Sequence, residues 1–260
     1  MTLPDLDIEA VRRALAGRTI GCRILHYPSL DSTMDEAGRL ADGGFTEGLV
    51  VVTEEQAAGR GRFGRTWISG PGESLLLSIV LRPTAEQLPQ ANMAATLAVA
   101  RTVDSRVDGP VTIKWPNDVR IGGRKVAGIL IEADSRPGGA SSVVAGIGLN
   151  VSVDTGAHAE IADTATSIAE QAGGPVERTE ILADLLRRFD DLYAQVRSGK
   201  SLTPEWSSRL DTLGLDVRVR RGDDVLSGTA RKVDDQGNLV LERPDGSTVT
   251  VVGGEVTLQA

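Results

Sequence analysis

The chain has 260 residues, 40% apolar, 25% charged and 3% aromatic, with a formal net charge of −8 at pH 7. Length and composition fit one large domain plus a small one, and exclude a disordered or collagen-like chain. One cysteine (Cys22) and two histidines (His26 and His158) leave no internal disulfide and no soft-ligand zinc cluster.

The first predicted element is a short amphipathic helix carrying Ile8, Val11 and Leu15 and stopped at Gly17. Acidic residues Asp5, Asp7 and Glu9 stand where a signal peptide would be basic, then apolar. Ile20, Cys22 and Ile24 alternate with polar residues and predict a half-buried strand. Thr33-x-x-Glu36 has the form of a capping box for a helix through Ala37 and Leu40. Leu49–Val52 reads as a buried strand, followed by a Gly/Arg-rich loop from Gly59 to Gly72. Leu75–Leu81 is the longest apolar run, interrupted by Ser78 and too short to cross a bilayer. No membrane contact and a reduced, cytoplasmic setting are therefore expected.

Asn92–Val107 predicts an amphipathic helix, and Val111–Lys114, Val126–Glu132 and Val143–Val151 predict strands. Ser167-x-x-Glu170 caps a short helix ended by Gly173-Gly174, and Glu180–Arg197 is a longer amphipathic one. The order is mixed rather than strictly alternating, which predicts an α+β fold with a mixed sheet. After Leu213 the helical period disappears. Short strands at Val217–Val219, Val225, Leu239–Leu241 and Val249–Val252, separated by turns, predict a small β-barrel. The expected division is residues 1–212 and 213–260.

An acidic chain meets an anionic ligand only through local positive charge. Arg60, Arg62 and Arg65 supply it, on a glycine-loosened loop where three forked guanidinium groups can converge on anionic oxygens. Gly59-x-Gly61-x-x-Gly64 mimics a dinucleotide fingerprint, but Trp67-Ile68-Ser69-Gly70-Pro71-Gly72 cannot be the helix that fingerprint opens. The same missing helix, and Arg65 where a lysine belongs, count against a phosphate-binding P-loop. Lys114-Trp115-Pro116-Asn117-Asp118 adds a cation, an amide and a carboxylate that suits Mg²⁺ beside nucleotide phosphates. Lys125 opens an apolar strand in which Ala127 and Gly128 leave room for close approach, and Gly146, Gly148 and Asn150 repeat the theme.

Five segments, in order, resemble the biotin protein ligase family. They are Asp31-Ser32-Thr33, the run from Gln56 through Gly59-Arg60-Gly61-Arg62 to Arg65 and Trp67, Lys114–Asp118, Gly123–Ile129 and Gly146–Asn150. The resemblance implies a catalytic domain of the class II aminoacyl-tRNA synthetase and biotin synthetase type followed by an SH3-like barrel. It implies that biotin and MgATP give biotinyl-5′-AMP, and that the biotinyl group passes to a lysine of a carboxylase's biotin carboxyl carrier domain. ATP and Mg²⁺ are implied, with no prosthetic group.

The same resemblance implies biotin contacts from Ser32, Thr33, Gln56, Gly59, Arg60, Gly61, Arg62, Lys125 and Gly128. It implies nucleotide contacts from Arg60, Arg62, Arg65, Trp67, Lys114, Asn117 and Asn150, with Asp118 on the metal and Lys125 and Arg62 as catalytic groups. Met34 departs from the family's asparagine and has no hydrogen-bonding amide. Only residues 1–30 precede the Ser-Thr motif, so the monofunctional type without a DNA-binding domain is expected, as monomer or homodimer. Two alternatives are a lipoate or octanoate ligase of the same fold, and a nucleic-acid-binding regulator reading through Arg218, Arg220 and Arg221, whose charge Asp216, Asp223 and Asp224 offset.

Overall fold

Apolar residues two apart in successive strands build a sheet covered on both sides. The computed structural model describes residues 5–134, 142–222 and 224–258, so Asp223 and the side chain of Arg221 lie outside it. The seven strands are β1 (Arg23–Tyr27), β2 (Leu49–Thr53), β3 (Ser74–Leu81), β4 (Val111–Lys114), β5 (Asp118–Ile121), β6 (Arg124–Asp134) and β7 (Ser142–Asn150). Their order across the sheet is β1-β2-β3-β7-β6-β5-β4, with β1 and β2 parallel and the other neighbours antiparallel.

On one face Val50, Val52, Leu75, Leu77, Ile79, Ala145, Ile147 and Leu149 join the main core. Against it pack α3 (Leu88–Asp104) and α5 (Arg178–Arg197), whose stripe of Ile181, Leu185, Phe189, Leu192 and Val196 is buried. On the other face Leu49, Val51, Val80 and Val144 meet Ala37, Leu40 and Ala41 of α2 (Thr33–Asp42). That is why every residue of β3 is buried. Past Val80 and Val144 the second face bears Gly146, Gly148 and Gly128 in place of side chains, and a cavity opens there.

Smaller helices complete the domain: α1 (Ile8–Ala14), α4 (Ile168–Ala172), whose Ser167–Glu170 capping box is present, and α6 (Thr203–Ser208). The small module is a five-stranded antiparallel sheet made of β8 (Asp216–Arg221), β9 (Asp224–Val233), β10 (Leu239–Glu242), β11 (Thr248–Val251) and β12 (Glu255–Leu258), in the order β11-β10-β9-β8-β12. It docks through Trp115, whose Nε1 donates to the Gly237 carbonyl at 2.8 Å, and through Gln90, whose amide donates to the Asp235 carbonyl at 3.0 Å.

Two local expectations need correction. The first strand begins at Arg23; Ile20 and Cys22 lie in the turn before it, where Gly21 has φ of +83° and its N–H donates to the Gly48 carbonyl at 2.9 Å. The cap of α2 is Ser32, whose Oγ accepts from the Asp35 N–H at 3.4 Å. Glu36 does not close a box with Thr33, because its carboxylate is taken by the Tyr27 hydroxyl at 2.9 Å and by Arg39 at 2.7 Å. Residues 118–121, to which the sequence pattern assigns no element, form β5.

Candidate active site

Two features of local backbone aim the cationic end of the cavity. Alternation along β6 would group Lys125 with Ala127 and Ile129, facing the main core. A register shift between β5 and β6 pairs Val119 with Ala127 but Arg120 with Lys125, leaving Val126 as an extra residue. Val126 and Ala127 then both enter the core, and Lys125 turns to the cavity beside Gly128. Such bulges re-aim a side chain at a small cost in pairing. A strap locks this in place: the Lys125 N–H donates to the Thr164 carbonyl at 2.8 Å, and the Lys125 carbonyl accepts from the Thr166 N–H at 2.9 Å. The Lys125 ammonium sits 2.8 Å from Asp118 Oδ1.

The opposite end is polar but neutral. Thr33 donates to Gln56 Oε1 through its backbone N–H at 2.8 Å and its hydroxyl at 3.1 Å, and that hydroxyl accepts from the buried Ser78 Oγ at 2.8 Å. Gly59 makes room for this, since a Cβ there would lie 2.9 Å from the Gln56 amide nitrogen. Ser32 caps α2 with an oxygen lone pair, which leaves its hydroxyl proton to donate elsewhere. Between the ends, Trp67 lies flat on the sheet: a Cβ on Gly148 would stand 2.7 Å from its indole and one on Gly128 3.2 Å. The Trp67 Nε1 is buried without a hydrogen-bond partner. The glycines thus admit side chains of this chain, Trp67 and Met34, rather than a neighbouring backbone.

The three loop arginines do not converge as the sequence suggests. Arg60 pairs with Asp35 at 2.6 Å and Glu132 at 3.2 Å, and Arg65 pairs with Glu255 of β12. Arg62 turns inward, donates to Asn117 Oδ1 at 3.1 Å, and rests 4.9 Å from the centroid of the Phe63 ring. Among the described residues, no carboxylate forms an ion pair with Arg62 or Lys114. Burial pushes the Arg62 guanidinium below its usual range, against the pull of Asp118 and Glu255. Burial, with the Arg120 charge, likewise lowers the Lys114 ammonium. Two desolvated cations facing one cavity are what an anionic ligand stabilises.

Of the residues expected from sequence, all but Gly59 and Asn150 line this one cavity. Asn117 spends its amide on the Ile129 carbonyl and its oxygen on Arg62. The Asn150 amide donates to the Thr166 carbonyl at 3.0 Å, with its oxygen buried and unpartnered. Sequence reading missed Ser78 and Glu255. Ser78 had a signal, the one hydroxyl inside the Leu75–Leu81 run; Glu255 had none, because the docking of the small module brings it.

Comparison with known proteins gives the family. Residues 7–150 match the model of the Biotin/lipoate A/B protein ligase family, and residues 212–258 match the Biotin protein ligase C terminal domain. The chain is 36% identical to the Biotin--[acetyl-CoA-carboxylase] ligase of Mycobacterium tuberculosis over 97% of its own length and 96% of that protein's. It is 33% identical to the Bifunctional ligase/repressor BirA of Bacillus subtilis over 93% of its length and 76% of that protein's. The solved biotin protein ligase of Aquifex aeolicus, in complex with biotin and ATP, superposes with a TM-score of 0.79 at 27% identity, covering 91% of this chain and 98% of that one. A family model spanning more than half of the residues, with a full-length relative above 30% identity, places this chain in the biotin/lipoate A/B protein ligase family.

Proposed function

We propose that the protein is an ATP-dependent biotin protein ligase that activates biotin as biotinyl-5′-AMP and transfers it to a lysine of a biotin carboxyl carrier domain. One observation carries the reading: the cavity is neutral and hydroxyl-lined at one end, cationic at the other, and floored between by Trp67 and Met34 seated over glycines. Biotin has the matching order of parts, a ureido ring, an aliphatic chain and a carboxylate.

In the first half-reaction a biotin carboxylate oxygen attacks the α-phosphorus of ATP and pyrophosphate leaves with the broken P–O bond. Both reactants are anions, so the protein's task is positioning and cancellation of charge. Lys125 stands at the acid end, held by its strap and by Asp118. Arg62 and Lys114 meet the phosphates, and Trp67 provides the flat face for adenine. In the second half-reaction the acceptor lysine's amine attacks the biotinyl carbonyl, and AMP leaves. Thr33, Gln56 and Ser32 hold the ureido ring throughout.

Mg²⁺ fits this donor set modestly. Asp118 and Glu255 are the carboxylates lining the cavity, and Lys125 and Arg65 occupy them. Asp118 would be the protein carboxylate that holds the ion, and the ion would supply positive charge to offset that of the phosphates. Residues 1–212 carry the chemistry, and the module at 213–260 completes the wall through Gly254–Val256.

The test is incubation with biotin, MgATP and a carrier domain, read as a mass gain on one lysine. Lys125→Ala is expected to lower pyrophosphate release about 10²–10³-fold. Its thermal unfolding stays at the parent value, because the side chain is about one-third exposed and outside the core. Pyrophosphate release at the parent rate refutes the assignment. Lipoate with MgATP serves as the control substrate and is expected to give no mass gain.

A further inference from the structure

Met34 is the second residue of α2, next to Thr33, and is 6% exposed. Its thioether covers Gly146, where a Cβ would stand 2.7 Å from Sδ and 2.8 Å from Cγ. Gly146 pairs with Leu130 across β6 and β7, two residues along from the Gly148–Gly128 pair beneath Trp67. At about 3.4 Å per residue, Met34 and Trp67 stand about 7 Å apart along one glycine track. Trp67 and Lys125 mark the acid end of that track, and Met34 with Thr33 and Gln56 its ring end.

On its far side Met34 borders a second cavity, lined by Asp35, Arg39, Glu132 and Ser142 among others. Met34 and Arg60 are the residues common to both cavities. The Arg60 guanidinium is fixed by Asp35 and Glu132, so the thioether is the deformable part of the partition.

We propose that Met34 is a specificity-determining residue: its thioether closes the ring end of the cavity and sets how much bulk beside the ureido ring the enzyme accepts. This rests on the ligase reading above and deepens it. A polar residue at this position would add a hydrogen bond to the ring. Methionine offers none, and its three rotatable bonds fill the space between the ring and Gly146. Recognition of the ring is thereby one-sided, by Ser32, Thr33 and Gln56, while Met34 excludes by volume.

The experiment compares kcat/KM for biotin with that for biotin methylated on one ureido nitrogen, in the pyrophosphate-release assay, on the whole chain. Met34→Ala is expected to lower the enzyme's preference for biotin over the methylated analogue about tenfold, the scale of one methyl group in a close-fitting pocket. Met34→Leu, of similar volume, keeps the parent ratio. Gly146→Ala acts in the opposite direction: its new methyl pushes the thioether into the cavity, raising KM for biotin about tenfold with KM for ATP unchanged. An unchanged ratio in Met34→Ala, or an unchanged biotin KM in Gly146→Ala, overturns the proposal. Should Met34→Ala fail to fold, Gly146→Ala decides alone. A parent enzyme that releases no pyrophosphate with biotin and MgATP overturns the ligase reading itself, a result distinct from an active parent with indifferent variants.

Discussion

Lys114 and Arg62 give the residue scale its clearest test. Burial draws the Lys114 ammonium below its ordinary value of 10.5, so the unliganded protein loses that charge earlier than a surface lysine does. A phosphate binds the protonated form. KM for ATP should therefore rise as pH climbs through the lowered lysine value, and Lys114→Arg should hold KM flat over the same range, because guanidinium stays charged. An alkaline rise that survives in Lys114→Arg removes Lys114 from the nucleotide. Arg62 is the loop cation that faces inward, bonded to Asn117. Arg62→Gly should loosen the cover over the adenylate, and labelling of lysines on a bystander protein should increase about tenfold, or about 1.4 kcal/mol of lost retention. A variant that is inactive with no stray labelling contradicts the retention role. Residue types and spacing made Thr33, Gln56, Arg62 and Lys125 legible in the sequence. The pairing of Arg60 and Arg65 with carboxylates was not, since Glu132 and Glu255 are 72 and 190 positions away.

At the scale of elements, continuous apolar runs made the strands legible, and the failures have local causes. Val111–Lys114 was matched residue for residue, whereas β3 and β7 were legible as apolar runs without the division of their side chains between two faces, which period two supplies once the strands are paired. Lys125 breaks that period because of the bulge at Val126, which sequence alternation cannot register. The start of β1 was misplaced because Ile20 is buried by a turn rather than by a strand. The junction of β2 with α5 rests on an ionic cluster that no pattern displayed. Glu54 accepts from Arg178 at 2.6 Å, His26 at 2.8 Å and the Leu6 N–H at 3.3 Å. Burial alone would push this carboxyl up; Arg178, with help from His26 and Leu6, holds it below the ordinary 4.5. A lowered carboxylate stabilises the fold above its unfolded value, and that stabilisation fades as pH falls through the folded value. Glu54→Gln should thus cost about 3–5 kcal/mol at pH 7, by leaving a buried guanidinium under-compensated. It should also lose part of the parent's acid sensitivity below pH 4.5. Denaturant unfolding at pH 7 and pH 4 measures both.

At the scale of the whole molecule, the small β-module is part of the cavity rather than an appendage. The texture change after Leu213 announced it, but its last strand, β12, and its contribution of Gly254–Val256 to the wall went unread. Trp115, inside a motif first read as chemistry, anchors the module through Gly237. Trp115→Phe keeps the ring and removes the N–H, orphaning that carbonyl. It should cost about 1–2 kcal/mol, lowering Tm by about 2–6 °C. No change in Tm would mean the junction is held elsewhere. The cavity wall runs from Ser32 to Val256, so its lining is drawn from contacts of very large sequence separation. Closing such distances is entropically slow, and local hairpins and helices consolidate first. Ligand recovery is therefore expected to trail the return of secondary structure when the chain refolds from denaturant, and simultaneous recovery of the two signals would show that the vitamin's pocket assembles with the first-formed elements.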